Sequence, residues 1–152
     1  MKNPKYSKMA DWIWLFAGLT ITALFMIFST RFYETLYYNG EFSNEMYNEN
    51  MYLVVAGYTS LVAWAIAILY YWVIDRFERW YHWLIAVILV IALSPTVVFF
   101  YCNDYFTENN LDFLTIPLIN FNIINTIVSL VLFFIVCLSV KKMSSHCSTT
   151  PF

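Results

Sequence analysis

A chain of 152 residues that is 61% hydrophobic, 21% aromatic and only 12% charged is not a soluble domain, in which about a quarter of residues are charged. Its charges lie between long apolar runs, and no connection is long enough for a second core, so the chain reads as one membrane domain. The expected fold class is all-α: a polytopic membrane protein of four transmembrane helices, with the N- and C-termini cytoplasmic.

In chain order, the spans fall at about 12–30, 51–74, 80–102 and 117–140. Each is long enough to cross a hydrocarbon core of about 30 Å at about 1.5 Å per residue. Backbone groups in lipid must bond internally, so each span is expected to be helical. Lys2, Lys5 and Lys8 before the first span resemble the start of a signal peptide. The apolar run is too long for one and no small-residue cleavage site follows, so an uncleaved anchor is expected.

The outer hairpin, 31–50, holds no Gly or Pro from Arg31 to Tyr38. It is expected to extend the flanking spans as two long helices, about 11–38 and 44–74, standing clear of the bilayer. Asn39-Gly40 is expected to cap the first with left-handed residues, and Ser43 to start the second. Tyr37, Tyr38, Phe42 and Met46 beside Glu41, Glu45 and Glu49 give the tips an aromatic, acidic surface suited to a protein partner, unless the hairpin packs on itself. The second outer loop, 103–116, is acidic and turns at Asn109-Asn110. Its Leu111, Phe113 and Leu114 are expected at the interface, and Pro117 as the first residue of helix four.

Orientation follows from the cations. Lys2, Lys5, Lys8, Arg76, Arg79, Lys141 and Lys142 share one side, which makes that side cytoplasmic; Arg31 alone lies on the other. The outer side carries Glu34, Glu41, Glu45, Glu49, Asp104, Glu108 and Asp112 and is net acidic. Trp12, Trp14, Trp72, Trp80 and Trp83 cluster at the inner interface, and most Tyr at the outer one. The tail, 141–152, ends in Pro151-Phe152; Phe152 is a candidate for docking on a cytoplasmic partner.

Inside the spans lies no Asp, Glu, Lys or Arg, which weighs against a coupled transporter or motor stator, since ion relays use buried ionisable groups. Four-span small multidrug transporters work through a carboxylate within the first span, which this chain lacks. Helix four carries Asn122, Asn125, Thr126 and Ser129 on one face, as helix–helix glue or the lining of a polar cavity. Ser94-Pro95 in helix three removes one backbone bond and is expected to bend the helix, with Asn122 or Asn125 packed beside it. Ala56, Ser60, Ala63 and Ala67 on helix two, and Gly18 and Thr22 on helix one, are small-residue stripes for close packing.

Cys102 and Cys137 are placed a bilayer apart, beyond disulfide reach, and His82, His146 and Cys147 assemble no haem or zinc site. No nucleophile–base set or phosphate loop can be built, so no catalytic residue, cofactor or metal is expected. The expected function is a non-enzymatic integral inner-membrane subunit that anchors or assembles a larger envelope complex, for example a secretion apparatus. Its partners would be the lipid bilayer and other membrane or periplasmic subunits, including copies of itself, and not nucleic acid. The rival readings are a small-molecule or lipid transporter or channel, and a pore-forming membrane effector. Richness in Asn, Ile, Tyr and Phe suggests an AT-rich bacterial genome and hence a bacterial inner membrane.

Overall fold

The computed structural model describes residues 4–73 and 80–141, with side chains described from 12 to 72 and 81 to 141. Every element in this part is helical: α1 (Pro4–Ile27), α2 (Ser29–Leu36), α3 (Gly40–Asn48), α4 (Met51–Ile68), α5 (Trp80–Glu108) and α6 (Thr115–Lys141). A π-helical turn, Leu69–Val73, continues α4, and a 3-10 turn, Asp112–Leu114, leads into α6. The 75–79 connection with Arg76 and Arg79, and the tail with Phe152, lie outside the described residues.

Three helical stretches, Met51–Trp72, Tyr81–Glu108 and Asp112–Lys141, are long and apolar enough to cross a membrane. A fourth results if Trp12–Ile27 and Ser29–Leu36 are taken as one span bent by 72°. Helix α6 is central, packing against α1, α4 and α5. Its buried positions run Leu118, Phe121, Asn125, Val128, Leu132, Val136 and Val140, the three-and-four spacing of a helix enclosed by neighbours. The small stripe of α4 is buried along its length, at Ala56, Ser60, Ala63 and Ala67. Gly18 of α1 allows a close approach to α6: a Cβ there would lie 2.7 Å from the Cβ of Ser139. Trp64 closes the same crossing, donating Nε1–H to Thr22 Oγ1 at 3.1 Å.

The core has two parts. At the end carrying α2, α3 and the 109–114 turn, here the cap end, it is largely aromatic: Tyr33, Phe42, Tyr52, Phe106 and Phe121 are fully or almost fully buried. Tyr33 stacks on Tyr52 with centroids 6.0 Å apart and rings 15° from parallel. Toward the other end, small and aliphatic residues such as Ala63, Ala67, Val90 and Val136 fill the space around Tyr70, Phe133 and Trp83. Tyr33 and Tyr52 are therefore core residues rather than interface anchors.

The cap corrects the expected upright hairpin. Instead of one helix over 11–38, the chain turns by 72° between α1 and α2, at Phe28, whose φ of −97° and ψ of 14° leave the helical region. The ladder reaches the break from both sides, with Phe28 N–H donating to Leu24 O and Phe32 N–H to Phe28 O, each at 3.0 Å, and is interrupted at Phe28. Nor does the second helix run from 44 to 74: α3 and α4 are separate, and Asn50 between them is left-handed with φ 53°. Asn39 is not a left-handed C-cap but the N-cap of α3. Its Oδ1 accepts from Phe42 N–H at 3.5 Å, and its own N–H donates to Ser43 Oγ at 3.1 Å. The helix therefore starts before Ser43, which closes the cap from inside. The physical reason for the fold-back is amphipathicity: α2 and α3 each carry one apolar face, which an upright hairpin would leave in water.

In the 109–114 turn Asn110 is left-handed with φ 57° and turns the chain as expected. Leu114 is buried in the core, whereas Phe113 is exposed. Helix α6 begins at Thr115, which places Pro117 within its first turn, where no intrahelical N–H partner is required. Helix α5 runs unbroken through Pro95.

Candidate functional site

The polar residues of α6 come together with groups from three other helices. Asn125 is fully buried, and its Oδ1 accepts from Tyr33 OH of α2 at 2.6 Å and from Thr59 Oγ1 of α4 at 3.1 Å. One turn on, Ser129 Oγ donates to Asn125 O at 2.7 Å and lies 2.7 Å from Ser94 Oγ of α5. On the flank, Asn122 Nδ2 donates to Pro95 O at 2.8 Å, and Thr126 Oγ1 donates to Asn122 O at 2.9 Å. One amide thus meets the proline as the spacing suggests, and the other turns inward to the α2–α4 side.

The arrangement is a pinned crossing of α2, α4, α5 and α6 made entirely of neutral groups. Each interhelical bond of this kind contributes about 0.6 kcal/mol on average in a membrane. Half of each amide lacks a protein partner: Nδ2 of Asn125 and Oδ1 of Asn122 are buried and unpaired. Beside Asn122 and Thr126, with Phe99, Ile119 and Ile123, lies a shallow cleft of about 180 Å³.

Two members of this network were not singled out from the sequence. Tyr33 reads as an interface tyrosine, and Thr59 lies beside the small stripe rather than in it; only the 72° bend brings the Tyr33 hydroxyl to α6. The α6 residues were legible because four polar residues on one face of an apolar helix stand out.

The expected partner surface is divided by the fold. Phe42 and Met46 have no exposed surface, because α3 turns its apolar face onto the bundle, so they are withdrawn as partner contacts. Tyr37 is half-buried and packs its ring against Phe42 and Phe121. Glu45 is half-buried and accepts from Tyr105 OH at 3.0 Å, fastening α3 to α5. Tyr38, Glu41 and Glu49, with Tyr47, remain exposed on the cap.

Among the described residues no group of three or more His, Cys, Asp or Glu is placed to hold a metal ion. Cys102 and Cys137 are buried free thiols, one in each part of the core. His82 lines a small pocket of about 110 Å³ with Leu69, Tyr70 and Ala86, next to the π-helical turn. The chain matches no family model, no curated protein and no solved structure.

Proposed function

We propose that this chain is a non-enzymatic integral membrane subunit that anchors or assembles a larger envelope complex. In this reading the bent α1–α2 pair and the three long helices make four spans in a bacterial inner membrane. Both termini are cytoplasmic, and the cap faces outward. The observation that carries it is the division of polar groups. Those within the apolar helices are joined to one another at Asn125 and Ser129, while exposed Tyr38, Glu41, Tyr47 and Glu49 gather on the folded cap. A folded, acidic, tyrosine-bearing cap suits a protein contact, where aromatic residues supply contact area at low entropic cost.

The test is purification of the tagged chain in mild detergent, with and without Glu41→Lys and Glu49→Lys. Partners should co-purify with the parent and be depleted with the double variant, while both keep the same melting temperature. Partner-free monomers from both preparations would sink the reading. A second reading, a small-molecule or lipid transporter or channel, draws on the cleft beside Asn122 and Thr126. It requires Asn122→Leu to abolish solute movement in proteoliposomes while the fold survives.

A further inference from the structure

The bend between α1 and α2 creates a space as well as a cap. Under α2 lies an apolar groove of about 510 Å³ between α1 and α6. Leu24 and Phe25 form one wall, Val128 and Val131 the other, and Phe28 at the break with Phe32 and Leu36 of α2 cover one end. Every lining residue is a hydrocarbon side chain, and the volume lies in the range of built ligand sites. The covered end is the cap end. Tyr33 ties α2 to α6 at Asn125, whereas the groove's α6 wall runs from Ile127 to Ile135, farther from the cap.

The same helix carries a cation beside its groove-facing row. At about 100° per residue, Phe28, Phe32 and Leu36 form one row facing the groove. Tyr33 then lies roughly 100° to one side, toward the core, and Arg31 roughly 100° to the other, away from the core. Arg31 is exposed, and its carbonyl accepts from Thr35 Oγ1 at 2.7 Å, so its place on the helix is regular. It is also the lone cation of the 31–50 and 103–116 segments, which are otherwise acidic.

We propose that this groove is a binding site for an anionic phospholipid. One acyl chain lies between α1 and α6 beneath α2, and the headgroup phosphate meets the Arg31 guanidinium. The inference rests on the membrane reading above. Chain and charge are both needed: the hydrocarbon walls accept a tail of any lipid, and only Arg31 favours a headgroup whose phosphate charge is not cancelled by a choline-type cation. A spanning helix from another protein is a poor fit, because it is about 10–12 Å across and would run into α2 at the covered end.

The test uses the full chain reconstituted in vesicles of phosphatidylglycerol or phosphatidylcholine, then extracted in mild detergent and weighed with its retained lipid by native mass spectrometry. Flotation with the vesicles is checked first. A chain that does not float overturns the membrane reading, whereas a floating chain that keeps no lipid overturns only this site. Retention should favour phosphatidylglycerol by about fivefold, the factor one cation supplies near an anionic headgroup. Arg31→Gln should erase that preference while lipid is still retained. Val131→Trp should fill the groove and expel both lipids. Val131 is 55% exposed, so the change does not intrude on the core, and Leu24→Trp on the opposite wall, 48% exposed, provides a second variant. A preference that survives Arg31→Gln, or retention unchanged in both tryptophan variants, overturns the proposal. So does a tryptophan variant that splits an oligomer without changing retained lipid, since the groove would then belong to a protein interface.

Discussion

Helices α1–α2 and α5 make opposite responses to their sequences. The α1–α2 segment has no proline at its break and turns by 72°, whereas α5 has Pro95 at its middle and stays unbroken over 29 residues. Local sequence alone would order them the other way, since a proline costs a helix one backbone bond and about 3 kcal/mol in water. Tertiary contact decides both. Around Pro95, Ser94 pairs with Ser129, and Asn122 donates to the proline carbonyl, so α6 braces α5 on both sides of the weak point. At Phe28 the gain lies in the turn itself. It buries Ser29 and the whole of Tyr33, sets Phe25 edge-on to both Phe32 and Tyr33, and delivers the Tyr33 hydroxyl to Asn125. A helix breaks where the packed state on the far side is better, and a proline is neither necessary nor sufficient for a break.

The largest expected effect comes from removing what holds the bend. Tyr33→Ala deletes a fully buried ring and the hydroxyl bonded to Asn125, and should destabilise the protein by about 3–5 kcal/mol. Thermal unfolding in detergent should show the loss, and limited proteolysis should open first within residues 29–50. A melting temperature like the parent's would mean that the bend is set by the local chain and not by Tyr33.

Next in size is Asn125→Leu, which keeps the branched shape and deletes the shared acceptor. Two buried hydroxyls, those of Tyr33 and Thr59, lose their bond, at a cost of about 1–3 kcal/mol. A double-mutant cycle with Tyr33→Phe measures the coupling between α2 and α6. Additive losses would break the claim that Asn125 anchors the bent helix.

The smallest is Ser94→Ala beside the proline, which removes one interhelical contact and should cost about 0.6 kcal/mol. Helicity by circular dichroism should not change. A loss as large as that of Tyr33→Ala would show that the serine pair alone keeps α5 continuous, and would sharpen the contrast between the two helices into a single-residue effect.

Much of this was open to reading from the residues. The three long apolar helices follow from runs without charge, because a backbone in lipid has no bonding partner but itself. The α4 stripe of Ala56, Ser60, Ala63 and Ala67 is buried where its spacing placed it. Asn122 meets Pro95 because both positions could be counted along their helices. The cap was not open in the same way. Phe42 and Met46 have the composition of a contact surface, and whether that surface meets another protein or the chain's own bundle depends on where α3 comes to rest.

By itself, then, the sequence determined the periodic and the local. It determined an all-helical chain, its long apolar helices, the turn at Asn110 and the polar face of α6, because these rest on hydrogen bonds and spacings within a few residues. Only the tertiary structure decided the break at Phe28, the inward turn of Tyr33, the burial of Phe42 and Met46, and the groove left beneath α2. Each of these joins residues tens of positions apart, as Tyr33 and Asn125 are, and the balance between an upright helix and a folded one lies in contacts that no local window contains.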